Sequence, residues 1–242
     1  MKEFKCRASA VGKLMTGTIG LSETQRAKMG QLIERRDDPS AKPLTANMEA
    51  ELDGLLEKHS NPVLPQTVKS YCETWLKEQL YGMTYEFDSK YTSKGNDVED
   101  LSMQYYSKQR DLFLLKNLDT YEDDFFTGTP DNDEGDIVFD FKSSWSPFTF
   151  PLFDTEPNPD YVGQLQVYMH LLNIKKAKLV HVLTETPLHL LRPWEDPQDY
   201  SSIPADLRIK EFSFDYDPSF IEEAKLRVKL AREYIKTLTE KL

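Results

Sequence analysis

The sequence predicts an α/β domain in which a central mixed β-sheet is flanked by α-helices, and three observations predict it. Apolar residues at helical spacing, as in PDYVGQLQVYMHLL (159–172), alternate along the chain with short runs rich in Val, Ile and Phe, as in DIVFDFKSS (136–144) and AKLVHVLTE (177–185). At 242 residues the chain can bury a core without disulfide or metal staples, and one domain is expected over its full length. The two cysteines, Cys6 and Cys72, fit neither a CxxC nor a Cys/His spacing, so neither a disulfide framework nor a zinc site is expected.

The elements follow in order. Residues 1–16 are mildly basic through Lys2, Lys5, Arg7 and Lys13, and ASAVGKLM reads as the start of a short helix capped by Ser9. LSETQRAKMGQLIERR and LTANMEAELDGLLEKH read as two helices on either side of DDPSAKP, a helical hairpin inserted over 17–62. In LPQTVKSYCETWLKEQLYG the spacing of Val68, Tyr71, Cys72, Trp75 and Leu76 predicts an amphipathic helix ending near Gly82. A second helix is expected over roughly 95–112, with Val98, Leu101 and Tyr105 as its apolar stripe and Glu99 turned away from that stripe. Strands are expected at DFFTGTPD, DIVFDFKSS, AKLVHVLTE and LRIKEFSF, with a helix over 159–172 and a charged helix from about Pro218 to Leu242. LLRPWEDPQDYSSIPAD reads as a long surface loop, and the chain shows no internal repeat or low-complexity segment.

The formal net charge of −11 argues against the broad basic surface of most nucleic-acid binders. A site whose carboxylates hold divalent cations can still face phosphate. The N-terminus lacks the apolar core of a signal peptide and no run suggests a membrane span, so a soluble cytoplasmic protein is expected.

The chemistry concentrates in FFTGTPDNDEGDIVFDFKSSW. On a strand, Ile137, Phe139 and Phe141 share one face and Val138, Asp140 and Lys142 the other, so the apolar triplet is expected to build the core. A buried Asp–Lys pair is a weak stabiliser, because desolvation offsets its Coulomb gain. With Asp131 at a preceding turn, the set suits metal-assisted phosphodiester cleavage: carboxylates offer Mg²⁺ hard oxygen ligands, and the lysine can orient water or offset negative charge. An EF-hand reading of the same stretch fails, since from Asp131 the sixth position is not Gly and the twelfth is Lys142. Asp133, Glu134 and Asp136 read as a solvated turn. On the following helix, Val162, Leu165, Met169 and Leu172 form a packing face, while Tyr161, Gln164 and Tyr168 lie on another that can touch a substrate.

Four blocks in order, CRASAVGKLM, KGNDVED, GTPD with FDFKSS, and YVGQLQVYM, resemble the PD-(D/E)XK nucleases, and within them the phage lambda exonuclease-like, YqaJ-type viral recombinase family. The resemblance implies a restriction-endonuclease-like core. It makes Asp131 and Asp140 metal ligands together with the backbone carbonyl of Phe141, Lys142 the catalytic lysine, and Glu99 a helix-borne acid that helps bind metal. It places Gln164 near the active site with Tyr161 as its neighbour. Ser9 and Thr129 fall where the family holds a DNA 5′-phosphate; the family's arginine position holds Lys2, and Arg7 stands near it. The hairpin of 17–62 has no counterpart in the family pattern.

The function so implied is a Mg²⁺-dependent deoxyribonuclease, with Mn²⁺ as substitute. It would resect double-stranded DNA ends 5′ to 3′ for phage-type recombination, as a ring-shaped trimer beside a single-strand annealing protein, in the host cytoplasm if phage-encoded. The alternatives are a structure-specific or restriction-like endonuclease of the same superfamily, and a non-catalytic DNA-binding or assembly protein with the same fold.

Overall fold

The computed structural model describes residues 2–85, 90–133 and 135–242. Seven helices and six strands alternate broadly as expected among them. A two-residue strand β1 (Cys6–Arg7) leads through a 3-10 turn into α1 (Val11–Met15). Ser9 lies within that turn and does not cap α1, whose N-cap is Ala10 without a side-chain hydrogen bond. The correction has a local cause: the 3-10 turn already supplies backbone contacts where a capping hydroxyl would act.

Helices α2 (Glu23–Asp37) and α3 (Ala46–Ser60) form the expected hairpin. Ser22 and Gln25 close a reciprocal capping box on α2, and Thr45 accepts the Met48 N–H at the start of α3. Leu21, Leu32, Leu52 and Leu55 give the hairpin a small apolar centre of its own. Helix α4 (Gln66–Tyr81) stops at Gly82, whose φ of 64° suits glycine in a left-handed C-terminal turn.

Helix α5 (Lys90–Arg110) begins earlier than its apolar pattern suggests, and its inward stripe is different. Leu101 is 57% exposed, whereas Lys94, Val98, Ser102, Met103 and Tyr106 are buried. Two polar residues occupy inward positions, which breaks the periodicity on which the Val98–Leu101–Tyr105 reading depends.

The strands form two three-stranded mixed sheets. One has the order β1-β3-β2, with β2 (Tyr121–Glu122) antiparallel and β1 parallel to β3 (Phe126–Gly128). The other has the order β4-β5-β6. Here β4 (Ile137–Ser143) runs parallel to β5 (Lys176–Val182) through the crossover helix α6 (Pro159–Leu172), and β6 (Ile209–Asp215) closes the far side antiparallel. Helix α7 (Pro218–Thr239) ends the fold.

Because β4 is covered on both faces, each face has its own apolar cluster. Phe139 and Phe141 pack with Ile137 against Met103 and Tyr106 of α5, beside Val180, Val182 and Ile209. The principal core lies on the opposite face, where Val138 and Leu179 meet Leu165 and Met169 of α6, Ile221, Ala224 and Val228 of α7, and Val68 and Cys72 of α4. The apolar triplet therefore builds the smaller cluster. Asp140 and Lys142 lie on the principal-core face with Val138, beneath α6.

Candidate active site

Asp140 is wholly buried, at 0% exposure, in the middle of β4. The Lys142 ammonium stands 2.6 Å from its Oδ2, while Oδ1 has no hydrogen-bond donor among the described residues. A buried carboxylate oxygen left in this state is costly in a finished core and fits a position meant to receive a cation.

Asp131 is brought beside it by the chain's own hydrogen bonding. Its Oδ2 accepts the Phe141 N–H at 2.6 Å, and the side chain of the next residue, Asn132, accepts the Phe139 N–H at 2.7 Å. The bend before β4 thus runs along that strand's free edge. Asn117, which sequence reasoning did not single out, secures the bend: its N–H donates to the Asp131 carbonyl at 2.9 Å and its amide to the Pro130 carbonyl at 2.9 Å.

The electrostatics follow from burial first and from crowding second. Burial and then the Asp140 charge push the Asp131 carboxyl up to about 8. Burial also raises Asp140, against the pull of Lys142. For Lys142, burial alone would depress the ammonium, but Asp140 and Asp131 outweigh it and hold it above the ordinary lysine range. The lysine stays charged, and its Nζ lies over the Tyr161 ring, 5.1 Å from the centroid.

Glu99 reaches the same field from α5, since its charge raises both Asp131 and Asp140. Its carboxylate pairs with Lys116 at 3.1 Å, and Lys116 also meets Asp100 at 2.6 Å. Lys116 lies in the segment between α5 and β2, where no pattern announces it. Among the described residues no three Asp, Glu, His or Cys side chains converge closely enough to hold a metal ion as they stand. The all-oxygen donors Asp131 and Asp140, with the unpartnered Oδ1, nevertheless fit a hard divalent cation, which would relieve their mutual repulsion.

The Tyr161–Gln164–Tyr168 stripe of α6 turns inward. Gln164 Nε2 donates to the Tyr168 hydroxyl at 2.8 Å, and burial, with the Asp140 charge, raises the Tyr168 phenol. Tyr168 thus joins Tyr161 and Gln164, with which it shares the stripe that the sequence leaves free to touch a substrate. Its place depends on Gly128, where a Cβ would lie 2.7 Å from Tyr168 Cε1 and 2.9 Å from Ala8 Cβ. Gly128→Ala is expected to destabilise the protein by about 1–3 kcal/mol through overpacking, read as a lower midpoint in urea unfolding. A variant as stable as wild type would show that the Tyr168 ring can move without cost.

His181, also missed, pairs in register with Lys142 across β4 and β5. Burial and the Lys142 charge push its imidazole down to about 4, so it is neutral at ordinary pH.

The residues matched to 5′-phosphate binding lie apart from this cluster in their bonding. Arg7 pairs with Glu78 at 2.5 Å in the wall of a cavity of about 670 Å³ that also includes Lys5 and Thr127. Ser9 is exposed, and the Thr129 hydroxyl is hydrogen-bonded to Thr120 at 2.8 Å. In the turn before β4, Asp133 accepts the Tyr121 hydroxyl and Asp136 is exposed; Glu134 lies outside the described residues.

No family model matches the chain, and no curated protein matches it. Solved structures do. A phage-related exonuclease from Haemophilus somnus 129PT is 24% identical over 99% of this chain and 97% of its own, with a TM-score of 0.72. The alkaline exonuclease LHK-Exo from Laribacter hongkongensis is 15% identical over 98% of this chain and 92% of its own, with a TM-score of 0.60. Its complex with dAMP matches at 14% identity, with a TM-score of 0.59. At these identities the likeness is one of fold. The chain has the α/β fold of those exonucleases over nearly its whole length. No helix among the described residues is long and apolar enough to cross a membrane.

Proposed function

We propose that this protein is a divalent-metal-dependent deoxyribonuclease that degrades double-stranded DNA from its ends, in the 5′-to-3′ direction. The observation that carries the reading is the buried Asp140 carboxylate of β4, with an unpartnered oxygen, between Asp131 and the charged Lys142. Support comes from the fold shared with two exonucleases and from the nucleotide, dAMP, held by one of them.

Asp131 and Asp140 would hold the metal with the Phe141 carbonyl, and Glu99 would assist once released from Lys116. When bound there, Mg²⁺ supplies positive charge that polarises a phosphodiester oxygen and lowers the pKa of water. Lys142 stays protonated beside the carboxylates, so it can orient the attacking water or meet negative charge developing on phosphate. The Tyr161 ring restricts where that ammonium can point. Tyr168 stands in the field of the carboxylates, and Gln164 holds its hydroxyl.

Digestion of 5′-phosphorylated, 5′-hydroxyl and covalently closed circular duplexes with Mg²⁺ tests the reading. Linear duplexes should be consumed, the circle spared and EDTA inhibitory. A nicked circle would indicate an endonuclease, and intact linear DNA with binding retained would indicate a non-catalytic DNA-binding protein. Arg7→Ala is expected to remove any preference for the 5′-phosphorylated end, because a guanidinium freed from Glu78 can grip a terminal phosphate through two hydrogen bonds. An unchanged ratio of phosphate to hydroxyl ends would mean that Arg7 serves Glu78 alone.

A further inference from the structure

Lys94 is a buried lysine that the chemistry above does not use. Its exposure is 0%, and its Nζ donates to the carbonyls of Ser144 at 2.6 Å, Trp145 at 3.2 Å and Thr184 at 2.7 Å. Those three acceptors match the three N–H bonds of an ammonium. Ser144 and Trp145 follow the last residue of β4, and Thr184 comes two residues after the end of β5. The lysine therefore clamps α5 to the carboxyl ends of the two parallel strands, and its first acceptor, Ser144, lies two residues beyond Lys142.

Glu99 lies five residues further along the same helix, about 7.5 Å in axial rise. Beyond it, Ser102 on α5 shares a 2.8 Å hydrogen bond with Ser143, the residue after Lys142. Helix α5 is thus tied on both sides of Glu99, at Ser143 on one side and at Ser144, Trp145 and Thr184 on the other. The clamp is not the cheapest way to fill this space. Burial pushes the Lys94 ammonium down to about 8, and a methionine of similar length would avoid desolvating a charge.

Resting on the nuclease reading, we propose that Lys94 is a positioning residue. By clamping α5 to the ends of β4 and β5, and with Ser102 as a second tie, it sets Glu99 against the Asp131–Asp140 pair. Lys94 touches neither metal nor DNA and acts through Glu99 alone.

The test compares wild type, Glu99→Gln, Lys94→Met and the double variant by calorimetric Mn²⁺ titration without DNA and by Mg²⁺-dependent digestion. Folding is checked by circular dichroism. Lys94→Met should weaken Mn²⁺ binding and cleavage by about 10- to 100-fold, the range for groups that orient metal ligands. It should match Glu99→Gln, and the double variant should lose no more than either single one, since both remove the same interaction. Lys94→Arg should not restore activity, because a planar guanidinium cannot meet three carbonyls arranged for an ammonium.

Wild-type Mn²⁺ affinity in folded Lys94→Met, or losses that multiply in the double variant, would overturn the proposal. If Lys94→Met fails to fold, Ser102→Ala decides. A several-fold loss of Mn²⁺ affinity that vanishes in a Glu99→Gln background supports positioning, and an unchanged affinity overturns it. A wild-type protein that digests no DNA with Mg²⁺ would instead remove the nuclease reading beneath the proposal.

Discussion

Asparagine in place of Asp140 is expected to abolish Mg²⁺-dependent digestion of duplex DNA, a loss on the order of 10³-fold or more, while the protein stays folded. The substitution removes the carboxylate with the orphaned oxygen and nearly preserves side-chain volume, so the core beneath α6 need not repack. Lys142 keeps Asp131 as a partner, and Asp131 loses its nearest repulsion. The pH dependence of stability should change with it. The Asp131 carboxyl titrates near 8 in the folded protein against 3.8 in an unperturbed chain. Between those values the folded state binds more protons than the unfolded one, so the stability of EDTA-treated protein should fall as pH rises from about 4 to about 8. Without the Asp140 charge that decline should be shallower. Thermal midpoints across this window, measured on wild type and Asp140→Asn, check both parts. Substantial digestion by the folded variant would refute the assignment of Asp140.

Lys142→Ala is expected to be equally inactive but to fail differently. It strips from a wholly buried carboxylate its only ion-pair partner among the described residues, and removing one member of a buried pair costs about 3–5 kcal/mol. The lysine side chain is 24% exposed, so the lower end applies. For a chain of this length that corresponds to a fall of roughly 6–12 °C in the unfolding midpoint. Added Mg²⁺ should restore much of this loss, since a dication between Asp131 and Asp140 replaces the missing charge. Differential scanning calorimetry with EDTA and then with Mg²⁺ distinguishes the cases. A variant whose midpoint ignores Mg²⁺ would show that these carboxylates do not hold the ion.

The parts of the fold legible in the sequence are those where local pattern and burial agree. Helix α6 occupies 159–172 as read, because Asn158 and Pro159 open it and Asn173, with φ of 54°, closes it. Strand β4 was legible from its alternation, which also put Asp140 and Lys142 on one face. Helix α5 was partly misread because the patterns that betray a helix count apolar residues, and its inward positions include Lys94 and Ser102. Lys116 and Asn117 were invisible for another reason: their partners, Glu99 and the Pro130–Asp131 bend, are distant in sequence and meet them only in the folded chain. Asp131 and Asp140 could be proposed from residue type and spacing, and Glu99 only from the family resemblance. The groups that hold them in place could not.

The side-chain seal along β4 has a consequence for assembly. A strand at the border of a sheet presents unpaired N–H groups on which another polypeptide can add itself. In β4 the outward N–H groups of Phe139 and Phe141 are already taken by Asn132 and Asp131. The border nearest the site is therefore closed to strand addition by residues that precede it in the same chain. Copies of this protein that associate cannot do so by adding a strand at these positions of β4, which keeps a neighbour's backbone off the edge beside Asp140.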